Sequence, residues 1–426
     1  MRLLHVTAHL GGGVGKVLSR LVEASSRRAD GIEHTIACLA MPEKTLFVDH
    51  ARAHGARVVC APDARSLDTL VREADVVQLE WWHHPLVARW MGATAHPPMR
   101  LVVWSHVSGL GLPTFPSRFL TLPHRFLFSS TCSLDAPAVR QLSDEARARL
   151  GVVFSSGGFD DLPEAPRRGD DTPLRTGYVG TLNFAKLHPD LMDFVAAVRI
   201  PDFRLALVGD PTTADALHTE ARARGLTSRL DVRGFTHDIA GTLSHFDVLA
   251  YLLNPQHYGT AENALLEAMA MGVVPVVLDN PAERQLVEHE RTGLIVRTPS
   301  EFADAMDRLA TTPGLRATLS AQAAAHVRKR FDITVTADAL HAHYAAVLDE
   351  DKRSFDFRSV FGTTPAQWFM ACQRPDIWTP DALGCAGAGS AHAQLEATKG
   401  SVFHYRDHFP EDAQLAGWAR QAEHAR

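Results

Sequence analysis

Cysteine is scarce and badly placed for cross-linking: Cys38, Cys60, Cys132, Cys372 and Cys385 are odd in number, far apart and without a CxxC pair. That usage argues against a thiolate zinc site and fits a reducing compartment. No apolar run approaches the ~18 residues that spanning a bilayer needs. The opening Met1-Arg2-Leu3-Leu4-His5-Val6 reads as a strand, not as a secretory leader. An excess of positive charge is also missing. With 43 Lys and Arg against 49 Asp and Glu, the formal charge is −6, which weighs against a dedicated nucleic-acid binder. That count takes all 23 histidines as neutral, so the charge is less negative below pH 7. Internal repeats and low-complexity tracts are absent too. What is present is ordinary globular material, 46% hydrophobic and 22% charged, able to build proper cores. At about 150 residues per domain, 426 residues predict two or three domains. A cytoplasmic protein is the expectation.

Short apolar runs alternate with helical patterns from end to end. Strands are predicted over 3–7, 35–39, 58–60, 76–79, 101–104, 126–129 and 152–154. Most are continuous apolar runs, as expected of parallel strands covered by helices on both faces. Residues 160–173 hold three prolines and many charges and read as an interdomain linker. A second series follows, with strands at 177–180, 204–208, 230–233, 248–252, 273–278 and 293–296. Helices are predicted over 262–271, 301–309, 315–330 and 335–348. Beyond about residue 350 the strands stop. Residues 355–371 are aromatic-rich, 386–391 are small, and 395–425 read as two short helices split at Pro410. The expected fold is α/β: two Rossmann-like doubly wound domains, 1–165 and 174–345, with a helical extension over 346–426 packed on one or both.

Two segments carry the chemistry. Gly11-Gly12-Gly13-Val14-Gly15-Lys16 follows the first strand and opens a helix, where glycine permits close backbone approach and a helix N-terminus favours an anion. It is not a Walker A loop, because Val17 follows Lys16 and Leu10 stands where the first glycine belongs. Lys16 also occupies the third glycine position of a dinucleotide fingerprint. A plain strand-to-helix turn and a phosphate-facing loop both remain open. The second segment runs from Tyr251 to Val277, where a strand ends in a polar loop and a helix begins near Glu262. The unpaired N–H groups and positive dipole end of that helix would seat a diphosphate. A carboxylate at the depth of Glu267 can accept both hydroxyls of a ribose, although a solvated helix glutamate is the plain alternative. Trp81-Trp82-His83-His84-Pro85, preceded by Glu80, sits at another strand end, where ligands gather in α/β folds; its aromatic faces could stack on a bound ring, and a packed loop is the plain alternative. Its neighbouring histidines show no convincing metal spacing, and no metal is assigned.

Glu267-Ala-Met-Ala-Met-Gly272-Val-Val-Pro275-Val-Val resembles the second part of the E-x7-E … A-x-A-x-G-x-P-V-V pattern of retaining glycosyltransferases of family 4, the group 1 transferases with the GT-B fold. Further landmarks fall in that family's order: Gly177-Tyr-Val-Gly-Thr-Leu with Lys186, Leu205-Ala-Leu-Val-Gly-Asp, Gly234-Phe-Thr-His-Asp and Arg291-Thr-Gly-Leu-Ile-Val. The first half matches more loosely, through Gly12-Gly13, Trp104-Ser-His106 and Ser156-Gly-Gly-Phe-Asp160. The resemblance spans roughly residues 1–345, and the extension lies outside it.

The resemblance implies a cleft between the two domains and a nucleoside diphosphate sugar as donor, UDP- or GDP-linked, with no cofactor. Glu267 would hold the ribose, and backbone N–H groups from Glu262 through Asn263 and Ala264 to Leu265 would cradle the diphosphate. Lys186 would neutralise the departing phosphate, His106 would face the sugar, and Gly234 to Thr236 would line the base pocket. Gly12, Gly13, Gly180, Thr181 and Gly209 complete the donor contacts implied. Two positions depart from the pattern. Gly259 replaces the first glutamate of E-x7-E, leaving Glu262 as a substitute or a helix cap. Thr181 replaces an arginine and cannot reproduce its bidentate grip on phosphate; Asn183 and His188 are candidates to help.

The expected activity is transfer of a sugar, with retained anomeric configuration, to a glycan, lipid-linked, protein or small-molecule hydroxyl. No nucleic-acid partner is expected. An epimerase of the same architecture and a non-catalytic assembly subunit are the alternatives. Peripheral contact with the inner membrane face is a further expectation, through a loop at 113–125 carrying Phe115, Arg118, Phe119 and Leu120, with a packed loop the equal alternative.

Overall fold

The computed structural model describes residues 1–92, 96–165, 173–374 and 396–424. Cys385 and the small-residue stretch 386–391 lie outside the described residues, as does 166–172 of the expected linker.

Among the described residues the strands form two sheets, and every pairing within them is parallel. The first contains β1 (Arg2–Thr7), β2 (Glu33–Cys38), β3 (Arg57–Cys60), β4 (Val76–Trp81), β5 (Leu101–Ser105), β6 (Arg125–Phe128) and β7 (Leu150–Val152), in the order β3-β2-β1-β4-β5-β6-β7. The second contains β8 (Thr176–Val179), β9 (Leu205–Val208), β10 (Leu230–Gly234), β11 (Val248–Tyr251), β12 (Val274–Leu278) and β13 (Leu294–Val296), in the order β10-β9-β8-β11-β12-β13. Each run predicted from composition is a strand within a few residues. The cause is visible in β9, β11 and β12, which are apolar and buried along their whole length, so continuity and not alternation is what these strands show. Each sheet reverses its winding once, between β1 and β4 and between β8 and β11. Ligands in such sheets gather at the carboxyl ends of the strands flanking that reversal.

Three expectations about organisation change. The helix Ile333–Leu348 belongs by packing to the first domain: Ile333, Ala337, Leu340, Tyr344 and Val347 are buried against Leu3, Val17, Val76 and Trp104. The boundary at 345 therefore moves back to about Phe331, which still packs in the second core. The described start of the expected linker is not bare chain either, since Leu162, like Phe159 just before it, is buried in the core of the second domain. Lastly, Phe115, Phe119 and Leu120 sit in the first core with Trp81, Phe126 and Phe361, so the 113–125 loop is packed and its apolar side chains cannot lie on an interface.

The extension packs on the first domain through Phe355, Phe361, Trp368, Phe369, Phe403 and Tyr405. Its last two helices, Val402–His408 and Ala413–His424, flank Pro410 as expected. Among the described residues no helix is long and apolar enough to cross a membrane.

Candidate active site

Both winding reversals open onto one cavity of about 340 Å³. From the first domain it receives Gly11 to Val14 after β1, Trp82 after β4 and His106 after β5. From the second it receives Gly180, Thr181 and Lys186 after β8, and Tyr251 with residues 258–264 after β11. The strand ends named by the sequence thus meet because each domain is wound the same way and the two face each other.

The centre of the cavity is a buried ion pair. Lys186 Nζ lies 2.5 Å from Glu262 Oε1, and the Tyr251 hydroxyl donates to Glu262 Oε2 at 2.6 Å. Burial alone would raise the Glu262 pKa, but the charge of Lys186, with the hydrogen bonds from Lys186 and Tyr251, outweighs it and holds the carboxyl below its usual range. Burial likewise works against the charged lysine, and Glu262 reverses the balance and keeps Lys186 protonated. Behind the pair, the Gly259 N–H donates to His257 Nδ1 at 3.0 Å, which puts the ring proton on Nε2, 3.1 Å from a Glu283 oxygen. Glu262 has φ +34, a left-handed conformation uncommon for a residue with a side chain. The turn aims its carboxylate back into the cavity instead of onto the helix Asn263–Ala270 that it opens. That helix consequently starts with no side-chain cap, its first N–H groups facing the cavity as a positive, hydrogen-bonding end.

The wall from the first domain carries a second network. Glu80 is fully buried; its Oε2 lies 2.7 Å from His106 Nε2, and its Oε1 accepts from Gln78 at 2.6 Å and lies 3.4 Å from His5 Nδ1. The other His106 nitrogen meets the Ser155 hydroxyl at 3.2 Å. Burial would push Glu80 up, yet hydrogen bonds from His106 and His5 hold it below its ordinary value. His106 is thereby fixed in orientation at the cavity wall.

Glu267 lies outside the cavity lining. Its Oε1 is 2.7 Å from Lys16 Nζ, and Lys16 is also 3.3 Å from Asp161 Oδ2, so the first helix turn after the glycine loop is tied across the cleft to the helix Asn263–Ala270. Gly13 faces the same junction, where a Cβ would stand 3.1 Å from Asn263 Nδ2.

Of the residues singled out from sequence, Gly12, Gly13, His106, Gly180, Thr181, Lys186, Glu262, Asn263 and Ala264 line one cavity. Gly209, Thr236 and Leu265 do not. Gly209 is a packing glycine whose Cβ would strike the Gly180 carbonyl; the Leu265 side chain is buried in the second core; Thr236 accepts the Asp238 N–H in a local turn. Asn183 and His188 also lie outside the lining. Sequence reasoning missed Glu80 as the partner of His106, Tyr251 as a partner of Glu262, and the contribution of the extension to the cavity, which Lys399 and Gly400 line.

Residues 173–312 match the family model described as "Glycosyl transferases group 1". The chain has the GT-B fold. A structure of Anabaena Alr3699/HepE in complex with UDP superposes with a TM-score of 0.63 at 18% identity, over 81% of this chain and 100% of that one. Sucrose-phosphate synthase (tll1590) from Thermosynechococcus elongatus gives 0.60 at 15% identity, over 82% and 99%. By sequence, the alpha-D-kanosaminyltransferase of Streptomyces kanamyceticus is 28% identical over 239 residues, which is 50% of this chain and 61% of that protein. In GT-B terms the cavity lies in the interdomain cleft, with the group 1 segment supplying Lys186, Glu262 and the uncapped helix.

Proposed function

We propose that the protein transfers a glycosyl group from a nucleoside diphosphate sugar to an acceptor hydroxyl, with retention of anomeric configuration. The observation that carries this reading is the convergence of Lys186, the uncapped start of Asn263–Ala270 and the start of the helix Gly12–Arg28 on one cavity. Two helix N-termini and the ammonium donor of Lys186 around one volume suit a diphosphate whose charge grows as it leaves. The UDP-bound neighbour and the kanosaminyltransferase relative support a sugar donor, with UDP the first base to test and GDP the second.

In this reading the diphosphate lies on the N–H groups of 263–265 beside Lys186, and the ribose reaches Glu267. The sugar faces His106, held by Glu80. The bond from the anomeric carbon to the β-phosphate oxygen breaks, and the acceptor oxygen bonds to that carbon on the same face. The acceptor proton passes to the departing phosphate oxygen. No protein nucleophile is invoked, because the Glu262 carboxylate is already engaged by Lys186 and Tyr251. No resident cofactor is proposed. Trp82, at the cavity wall, is the acceptor-side surface on which a sugar or a small ring would stack. We place the protein in the cytoplasm; Cys38, Cys60, Cys132 and Cys372 are all free thiols, as a reducing compartment favours.

A nucleotide-release assay across UDP- and GDP-sugars, run with a panel of hydroxyl acceptors, tests the reaction. Free nucleotide should appear only when acceptor is present, and Lys186→Ala and Glu267→Ala should each reduce turnover sharply. Conversion of donor into a new nucleotide sugar without release would replace transfer by epimerisation. Unaltered rates in both variants would remove this cavity as the donor site.

A further inference from the structure

Position 181 carries threonine, and the cavity's Lys186 is already balanced by Glu262. A diphosphate entering there brings charge that this pair alone does not offset. Lys399, from the C-terminal extension, lines the same cavity as Thr181, Lys186 and Asn263. Its ammonium stands 5.7 Å from the centre of the Trp82 ring, within cation–π reach, and no carboxylate of the described residues pairs with it.

The chain on either side of Lys399 is held at both ends. Glu396 accepts the backbone N–H groups of Phe184 and Ala185, both at 2.8 Å, on the second-domain loop that carries Lys186. Four residues later Gly400 donates to His404 Nδ1 at 2.9 Å, and the helix Val402–His408 rests on the first domain, with His404 and His408 against His84 and with Phe403 and Tyr405 in the core. Four residues reach at most about 14 Å, so the segment has little slack to withdraw Lys399.

We propose that residues 396–400 form a strap across the cleft, whose Lys399 supplies the second cation for the donor diphosphate in place of a basic residue at 181. The inference rests on the transferase reading above and deepens it. Lys399 is a binding residue, and Glu396 is a positioning residue that sets the Lys186 loop relative to the strap. Its ammonium already acts within the cavity: burial first, and then the charge of Lys399, push His9 down to about 4.

Calorimetric titration of the full chain with UDP, UMP and uridine, and with the guanine series, tests this. Lys399→Ala should weaken nucleoside diphosphate binding by at least about tenfold, leave the nucleoside nearly unaffected and flatten the salt dependence. Lys399→Arg should retain the wild-type affinity. Thr181→Arg placed in the Lys399→Ala background should recover much of the loss, because it returns charge to the opposite wall; a merely structural lysine would not be rescued so. Wild-type binding of a diphosphate with undiminished binding by Lys399→Ala would overturn the strap proposal while leaving the transferase reading intact. Equal losses for nucleoside and diphosphate would also overturn it, as would failure of the rescue. No binding of any nucleoside diphosphate by the wild type would remove both readings.

Discussion

The carboxylate of Glu262 occupies the volume that a side chain at Gly259 would claim: a Cβ built on Gly259 meets Glu262 Oε1 and comes within 2.5 Å of Lys186 Nζ. The glutamate that the family pattern places at 259 is absent from the sequence, yet a carboxylate stands at the same place, delivered from three residues further on by a left-handed turn.

This relationship can be tested by exchange. Glu262→Ala leaves Lys186 a buried charge without its partner, which should destabilise the fold by about 3–5 kcal/mol and depress turnover. Gly259→Glu combined with Glu262→Gly should regain part of both, since the new side chain enters the vacated volume. Thermal unfolding and initial rates on the three proteins decide it. A double variant no better than Glu262→Ala would mean that the turn itself, not the carboxylate, matters.

Glu80 holds His106 from below. In Glu80→Gln one donor, His106 or Gln78, would face an amide N–H₂, at a cost of about 1–3 kcal/mol. The pH dependence has a definite sign. The folded Glu80 titrates below its unfolded value, so its contribution is present above about pH 4.3 and fades as pH falls through the folded value. Acid unfolding of Glu80→Gln should lose that part of the slope. Identical acid curves would dismiss the assignment.

The docking of Val402–His408 should weaken in acid. Burial first, and then His404, His9 and His408, push His84 down to about 2; burial first, and then His408 and Lys399, push His404 down to about 3. Both rings stay neutral when docked but bind protons when exposed, below about pH 6.5. Stability of this contact is therefore complete above that pH and declines as pH falls toward the docked values. Hydrogen exchange of 402–408, corrected for intrinsic rates, should accelerate between pH 7.5 and 5, and His84→Asn should blunt the change. Exchange that ignores pH would show that the histidine cluster does not govern docking.

Gly209 separates packing from binding. Gly209→Ala drives a methyl into the Gly180 carbonyl at the ends of β8 and β9. The expected result is a loss of about 1–3 kcal/mol in stability with an unchanged donor KM in the folded enzyme. A selective rise in KM would restore it to the donor site.

The sequence alone indicated the two sheets, because a parallel strand buried on both faces favours a short, continuous apolar run, as β9, β11 and β12 are. It also pointed to the glycine run and the start of the Asn263–Ala270 helix, since each lies next to a strand end in the chain, while Lys186 was marked by the resemblance alone. Tertiary structure decided the pairings made across long stretches of chain: Glu80 with His106, Lys16 with Glu267, and Lys399 with the cavity wall. Those contacts depend on how two domains face each other and on where the extension comes to rest. Local periodicity carries neither piece of information, because it reports which face of an element is buried and not what buries it.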